Sequence, residues 1–246
     1  MLAQTRLFMC RSDNFGVLLH DPKTGATAAI DAPEAAPIEA ALKATGWKLT
    51  DILVTHHHAD HTDGIMELKN KYKCRVVAPT AEAAKIPGVD ETVSEGDKVK
   101  VGSLIGNVIE TPGHTLGHIV YWFHADSIVF AADTLFSAGC GRVIEGTMDQ
   151  MWSSMLKMRD LPDDTKIYCG HEYTASNIKF ALSVDKGNKD LLARAEQAAK
   201  QLAAGEPTIP TTIGEEKKIN PFLRAGDAAL AAGIGMAGKP ANEVFA

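Results

Sequence analysis

The sequence is poor in cysteine, and the few cysteines it has are not paired. Its 246 residues include four, Cys10, Cys74, Cys140 and Cys169, with no Cys-x-x-Cys spacing among them. Disulfide-stapled secreted domains and structural zinc modules need paired, closely spaced cysteines. We therefore predict buried, reduced thiols in a cytoplasmic protein.

Positive charge and long apolar runs are also scarce. Lys and Arg number 25 against 31 Asp and Glu, so the formal net charge is −6. Nucleic-acid binding depends on clustered Lys and Arg, and a helix that crosses a bilayer needs about 20 mostly apolar residues. These shortages predict no nucleic-acid partner and no membrane attachment, and for the assembly we expect a monomer or weak oligomer.

The chain does have enough apolar content for a large core. Hydrophobic residues make up 45% of it, which fits one large domain or one domain with a small appendage. Short apolar runs between turn residues predict strands, and helical periodicity predicts helices. In the first part of the chain, strands are predicted at 16–20, 28–30, 52–55 and 75–77, and helices at 34–45 and 63–71.

The rest of the chain divides into a strand-rich block and a helical block. Strands at 98–101, 104–110, 118–123, 127–131 and 166–169, with a helix at 149–159, favour mixed sheets with helices outside. After His171, helices are predicted at 174–182, 188–204 and 227–232, the last capped by Asp227. We place a domain boundary near residue 172, between a strand-rich domain at 1–172 and a helical domain at 173–246.

A dense cluster of histidines follows the predicted strand at 52–55. In Thr55-His-His-His-Ala-Asp-His-Thr-Asp-Gly64, His56 and His58 are two apart, so extended backbone points both to one side. Asp60 and His61 come back to the same side on the next turn of the chain. Histidine and carboxylate donors without a thiolate favour an open catalytic site for zinc, iron or manganese.

Four donors within six residues crowd a single ion, so we predict two ions roughly 3.5–4 Å apart. One takes His56 and His58, and the other takes Asp60 and His61. Three more donors, each at the end of a predicted strand, complete the set: His114, Asp133 and His171. We expect His114 to complete the first shell, His171 the second, and Asp133 to bridge both ions.

Other polar residues have two interpretations each. Asp31 could orient a ligand, but a helix cap is the more economical role. His57 is as compatible with a hydrogen bond beneath the ligands as with a structural role, and His118 is either a ligand support or a strand-packing residue. We expect His20 and His124, beside turns, at the surface.

These motifs resemble the metallo-β-lactamase superfamily, through the His-x-His-x-Asp-His string and the spaced His114, Asp133 and His171. More narrowly, several segments are similar to the glyoxalase II family, the hydroxyacylglutathione hydrolases: Asp133-Thr-Leu-Phe-Ser-Ala-Gly-Cys-Gly-Arg142, Glu145-Gly-Thr147, Gly170-His-Glu-Tyr-Thr174 and Asn220-Pro-Phe-Leu-Arg224. The resemblance covers almost the whole chain. It implies an α/β (α+β) fold, an αββα sandwich with a C-terminal helical domain.

The resemblance also implies an activity, the hydrolysis of S-D-lactoylglutathione to D-lactate and glutathione in methylglyoxal detoxification. Two divalent metal ions, zinc before iron or manganese, would acidify a bridging water to the hydroxide that attacks the thioester carbonyl. We assign no protein nucleophile. We also assign no general acid, because a thiolate leaves readily at neutral pH.

Glutathione contacts are implied at Arg142, the basic residue after Gly-Cys-Gly, and at Tyr173. The sequence departs from the family at Ile144, where a tyrosine is usual. Members also carry a terminal helix with an Arg-x-x-Lys pair, whereas the printed sequence ends at Ala246. We therefore expect either a truncated chain or weaker glutathione affinity.

Alternative functions remain open within and beyond the superfamily. A lactonase, or a thioesterase for another thiol carrier, would use the same ligands. A persulfide dioxygenase would use one iron and would not need Asp60, His61 and His171. An oxygen-reducing diiron protein would usually carry Glu in place of His58, and a non-catalytic scaffold would have lost ligands. The complete ligand set favours a hydrolase.

Overall fold

The computed structural model describes residues 3–246. Two compact units are defined by their internal contacts. The first contains the described residues up to Glu110 together with Thr115–Phe130, and the second contains Thr111–His114 together with Ala131–Ala246.

A six-stranded mixed sheet in the first unit follows chain order. Its strands are β1 (Gln4–Cys10), β2 (Asn14–His20), β3 (Thr27–Ile30), β4 (Asp51–Leu53), β5 (Arg75–Pro79) and β6 (Glu91–Val93). Strands β1 to β3 are antiparallel, and β3 to β6 are parallel. Parallel neighbours end at the same edge, so the segments after β3 and β4 lie side by side.

Helices of the first unit pack on this sheet. They are α1 (Ala35–Thr45), α2 (Ala59–Thr62) and α3 (Ile65–Tyr72). Helix α1 ends at Gly46, which takes the left-handed conformation (φ 74°) and donates its N–H to the Leu42 carbonyl. Ile38 and Leu68 of these helices join Ile52 of the sheet in one buried apolar cluster. The apolar faces of α1 and α3 therefore pack against the parallel strands.

Four antiparallel strands complete the first unit. They are β7 (Lys98–Val101), β8 (Leu104–Glu110), β9 (Ile119–Phe123) and β10 (Ile128–Ala132), in the order β10-β9-β8-β7, and β10 continues into the second unit. The fully buried Tyr121 donates its hydroxyl to the Val54 carbonyl at 2.8 Å, and Ile119 N donates to the Thr55 carbonyl at 3.0 Å. Strand β9 thus braces the segment in which the histidine cluster begins.

The second unit is mainly helical. Its strands form two short antiparallel pairs, β11 (Leu135–Phe136) with β12 (Gly139–Cys140), and β13 (Lys166–Cys169) with β14 (Thr211–Thr212). Its helices are α4 (Met148–Arg159), α5 (Thr174–Val184), α6 (Lys189–Ala203), α7 (Ile213–Ile219), α8 (Ala228–Gly233) and α9 (Ala241–Phe245).

Polar caps begin several of these helices. Thr147 and Gln150 form a capping box at α4, and the Asn188 side chain accepts the Leu191 N–H at α6. Asp227 accepts two backbone N–H groups at α8, as predicted from the sequence.

The predicted α/β fold with a helical C-terminal region is confirmed. The domain boundary near residue 172 stays a prediction. Within residues 3–246, no helix combines the length and the apolar character that a membrane span requires.

Candidate functional site

The first unit carries four of the predicted metal ligands on the segment after β4. His56 is fully buried, and its Nε2 lies 3.1 Å from Nδ1 of His58. The ring of His61, on α2, lies 4.1 Å from that of His56 between centroids. Oδ2 of Asp60 is 3.7 Å from Nε2 of His61. Three imidazoles and a carboxylate therefore lie within one small volume.

Asp31 orients His61, and its interpretation as a helix cap is wrong. Its Oδ2 accepts from Nδ1 of His61 and from the Thr55 hydroxyl, each at 2.8 Å, and its Oδ1 accepts the Thr55 N–H at 2.7 Å. Helix α1 begins only after Glu34. The residue reaches the cluster because β3 and β4 are parallel neighbours whose carboxyl ends coincide.

This hydrogen bond defines the chemistry of His61. Because a carboxylate accepts from Nδ1, the proton lies on Nδ1 and the lone pair lies on Nε2, the nitrogen that faces Asp60. A histidine held in this way by an outer carboxylate is typical of a metal ligand.

His57 is bound by Glu82. Both the backbone N–H and the Nδ1 of His57 lie within 2.8 Å of Oε2 of this buried glutamate, while Oε1 accepts the N–H of Gly117 at 2.8 Å. His57 therefore has a structural role. Sequence reasoning missed Glu82, because it lies in no motif and tertiary packing alone brings it to this loop.

The predictions for the remaining histidines of the first unit are confirmed only in part. His118 is fully buried and stacks on His56 with 4.8 Å between ring centroids, so it packs against a predicted ligand. His20 was expected at the surface, which is wrong: it is buried, stacks on Trp47 and contacts the Thr27 hydroxyl at 2.9 Å. His124 is exposed, as predicted.

The second unit brings together the three remaining predicted ligands. Oδ2 of Asp133 lies 3.3 Å from Nε2 of His114 and 3.4 Å from Nε2 of His171. All three side chains are buried. Asp133 directly follows β10, and His171 follows β13. One carboxylate oxygen between two imidazole nitrogens is an arrangement suited to a ligand that bridges two cations.

Neighbouring groups fix the orientation of both imidazoles. Nδ1 of His114 donates to the Arg142 carbonyl at 2.8 Å, which leaves the lone pair on the Nε2 that faces Asp133. The ring of His171 stacks on Tyr173, with 4.8 Å between centroids and 6° between planes. Phe136 contacts both rings, and sequence reasoning did not single it out.

Cysteine takes no part in this donor chemistry. All four thiols are free, three are buried and Cys140 is half-buried. Burial raises the pKa of Cys10 and Cys140 to about 12 and that of Cys74 to about 11. Protonated thiols are poor nucleophiles and poor metal ligands. The donor set is therefore histidine and aspartate, which suits divalent metal ions.

The residues implied in substrate binding lie beside the predicted ligands of the second unit, His114, Asp133 and His171. Arg142 has an exposed side chain, although its carbonyl holds His114. Tyr173 packs on His171. Ile144, which replaces the usual tyrosine, is 58% exposed. A charged guanidinium and an apolar side chain are thus presented to solvent two positions apart.

Family models match the chain along most of its length. The model of the metallo-beta-lactamase superfamily matches residues 16–171, and that of the hydroxyacylglutathione hydrolase C-terminus matches residues 172–246. Hydroxyacylglutathione hydrolases from Nitrobacter hamburgensis and Rhodopseudomonas palustris (strain BisB5) are 64% and 62% identical to the chain. Each alignment covers 100% of this chain and 96% of the relative.

Solved structures share the fold. ETHE1 from Myxococcus xanthus superposes with a TM-score of 0.70 at 27% identity, covering 100% of this chain and 88% of that one. TTHA1623 in a di-iron-bound form superposes with a TM-score of 0.65 at 20% identity, covering 89% of this chain and 100% of that one. The second likeness shows the fold alone.

Proposed function

Because the chain belongs to the hydroxyacylglutathione hydrolase family of the metallo-β-lactamase superfamily, we propose that it hydrolyses S-D-lactoylglutathione to D-lactate and glutathione. It is a metal-dependent thioester hydrolase. The observation that carries the proposal is the Asp133 carboxylate oxygen, which lies between Nε2 of His114 and Nε2 of His171.

Seven side chains form the proposed ligand set for two divalent metal ions. His56, His58 and His114 would hold one ion, Asp60, His61 and His171 would hold the other, and Asp133 would bridge them. The donor chemistry supports this assignment, because two of these imidazoles hold their proton at Nδ1 through Asp31 and the Arg142 carbonyl. Zinc is the expected ion, and iron and manganese also suit these donors.

Two such ions, when bound, supply an acidified water and polarise the thioester carbonyl. The protein's own groups then have supporting tasks. Asp31 keeps the Nδ1 proton of His61 in place, and the exposed Arg142 supplies positive charge for a carboxylate of glutathione. Tyr173 holds the ring of His171 by stacking, and it is proposed as a second contact for glutathione. No protein nucleophile is required.

The test is hydrolysis of S-D-lactoylglutathione, followed by loss of thioester absorbance with metal content measured on the same preparation. We expect His58→Ala and Asp133→Ala to lower kcat/KM at least ~1000-fold, since each removes a ligand, and His124→Ala to leave it unchanged. Metal binding without turnover would refute the proposal. A preference for a lactone or a coenzyme A thioester would instead assign the alternative superfamily hydrolase.

The remaining parts of the proposal concern the setting of the enzyme. We infer a cytoplasmic location, because the four cysteines are free thiols as expected in a reducing compartment. A monomer or weak oligomer is the proposed assembly, with a small glutathione thioester as the partner.

A further inference from the structure

A short hairpin, β11 with β12, separates Asp133 from Arg142 in the sequence, and its tip is inserted into the helical part of the second unit. Ala138 at the tip is fully buried, and it belongs to an apolar cluster with Ile178, Leu191 and Ile219, one residue from each of α5, α6 and α7. Its φ of 56° is left-handed, which costs an alanine about 1 kcal/mol. The surrounding contacts must therefore hold the tip in place.

Hydrogen bonds from the same helical segments hold the hairpin backbone. Oε2 of Glu216, on α7, accepts the N–H of Ala138 at 2.7 Å. Nδ2 of Asn220, which ends α7, lies 2.9 Å from the Gly139 carbonyl and 3.0 Å from Oε2 of Glu216. Nδ2 of Asn177, on α5, donates to the Ser137 carbonyl at 3.1 Å. Side chains of two helices thus bind consecutive residues of the hairpin tip.

Glu216 is the most unusual member of this set, because it is a fully buried carboxylate. Three donors point at it: Ala138 N, Asn220 Nδ2 and the Thr211 hydroxyl, the last at 2.8 Å. Burial raises the pKa of Glu216 to about 7 in spite of these donors. A buried ionisable group stabilises a fold less than apolar packing does, so its use here is better explained by the geometry it imposes.

The hairpin leads directly into Arg142, the residue proposed to bind the substrate, so the position of the hairpin affects that of Arg142. Gly141 N donates to the Thr134 carbonyl at 3.1 Å, which closes the base of the hairpin. A Cβ at Gly141 would lie 1.8 Å from the Asp133 carbonyl oxygen, so the two sides of the base are in close contact. Arg142 follows at once, and its carbonyl receives Nδ1 of His114. Displacement of the tip would therefore move Arg142.

We infer that Glu216 and Asn220 are positioning residues, which hold the β11–β12 hairpin so that Arg142 is placed to bind the glutathione part of the substrate. The inference rests on the proposed function for its substrate. It assigns a task to helix α7 and to Asn220 at its end, although neither Glu216 nor Asn220 belongs to the proposed ligand set. Neither residue touches the substrate; each acts through the hairpin backbone.

The test compares two substitutions at one position. Glu216→Met removes the acceptor and leaves buried donors without a partner, whereas Glu216→Gln keeps a carbonyl oxygen for Ala138 and Asn220. We expect Glu216→Met to raise KM for S-D-lactoylglutathione about tenfold. The accompanying loss of kcat should be smaller, and it is expected because the Arg142 carbonyl also holds His114. Glu216→Gln should have a KM for S-D-lactoylglutathione near that of the unmodified enzyme. The matched control is Glu196→Met, at an exposed position of α6.

A second substrate and a second variant separate positioning from a general loss of structure. The lactoyl thioester of a small uncharged thiol lacks the carboxylates that Arg142 would bind, so its kcat/KM should fall much less in Glu216→Met than that of lactoylglutathione. Asn177→Ala, at a half-buried position, should raise KM for lactoylglutathione in the same direction but less. Equal losses on both thioesters, or kinetics that match Glu196→Met, would overturn the inference.

One measurement does not depend on the reaction at all. Amide hydrogen exchange at Ala138 should be faster in Glu216→Met than in Glu196→Met, because the amide loses its acceptor. If the unmodified enzyme hydrolysed neither thioester, the proposed function would fail while this measurement still decided the positioning role. Unchanged exchange at Ala138 would overturn that role whatever the enzyme hydrolyses.

Discussion

Single residues around the histidine cluster show how a metal ligand is oriented by groups that do not bind metal. Asp31 accepts from Nδ1 of His61 and also holds both the N–H and the hydroxyl of Thr55. One carboxylate thus fixes a ligand ring and the start of the ligand loop. Alanine at this position would remove all three bonds.

Asp31→Ala should therefore weaken metal binding. Loss of an outer partner of a ligating histidine typically costs 10- to 100-fold in metal affinity, and we expect about that loss at the ion held by His61. Titration of the metal-free protein with zinc measures the effect without relying on turnover. Asp51→Asn is the control, because this buried aspartate of β4 pairs with Arg75 and does not contact the cluster. Equal affinities for both variants would contradict the role of Asp31.

At the scale of elements, Asp21 links a turn of the first sheet to a turn of the second sheet within the first unit. Its carboxylate, in the turn after β2, accepts from the N–H and hydroxyl of Ser103, between β7 and β8, at 2.6 and 2.7 Å. Thr24 and Lys23 donate as well. Gly102 must be glycine here, since it has a φ of 59° and its Cβ would lie 2.0 Å from Oγ1 of Thr24.

Asp21→Ala should destabilise the protein in a pH-dependent manner. Burial alone would raise the pKa of Asp21, but hydrogen bonds from Ser103, Thr24 and Lys23 outweigh it and hold that pKa well below its usual value. The folded state therefore favours the charged form, so the stabilisation is present above about pH 4 and is lost as the pH falls through the folded pKa.

Urea unfolding at a series of pH values measures this effect. At pH 7 we expect a loss of about 1–3 kcal/mol for Asp21→Ala, the usual cost of buried donors left without an acceptor. The exposed Asp164→Ala should lose much less. A difference between wild type and Asp21→Ala that stays constant down to pH 2 would contradict the assigned cause.

Elements were predicted from the sequence where local signals are strong. Helix α1 with its Gly46 stop, α6 and the Asp227 cap all agree with the structure to within a few residues. The two-residue strands β11, β12 and β14, the three-residue β6 and the short helices α2 and α9 were not predicted, and neither were the seven-residue β1 and α7. Elements of two to five residues have no periodicity of their own, and they exist because neighbouring strands and helices hold their backbones.

For the whole molecule, bound metal should be a major source of stability. The two clusters place carboxylates and imidazoles close together while burying most of them. Ligands that bind only the folded state stabilise it by mass action, by about 2.7 kcal/mol at a concentration 100 times Kd. Removal of metal with a chelator should lower the melting temperature, and added zinc should restore it.

Calorimetry of the chelated and reloaded protein checks this expectation. Asp133→Ala provides the comparison, because it lacks the proposed bridging ligand and should show a smaller recovery with zinc. Identical melting temperatures for the chelated and reloaded wild-type protein would argue against metal binding by these clusters.

The sequence by itself determined the type of chemistry, because histidines and aspartates at strand ends form a recognisable pattern of donors. It also determined the main helices and strands, through periodicity and caps that act over a few residues. Tertiary structure alone decided which residues support those donors. Asp31, Glu82 and Glu216 lie 24 to 78 residues from the groups they hold. Phe136 contacts the rings of His171 and Tyr173, which lie in another segment. Contacts across such separations arise from strand order and helix packing, which no local pattern encodes.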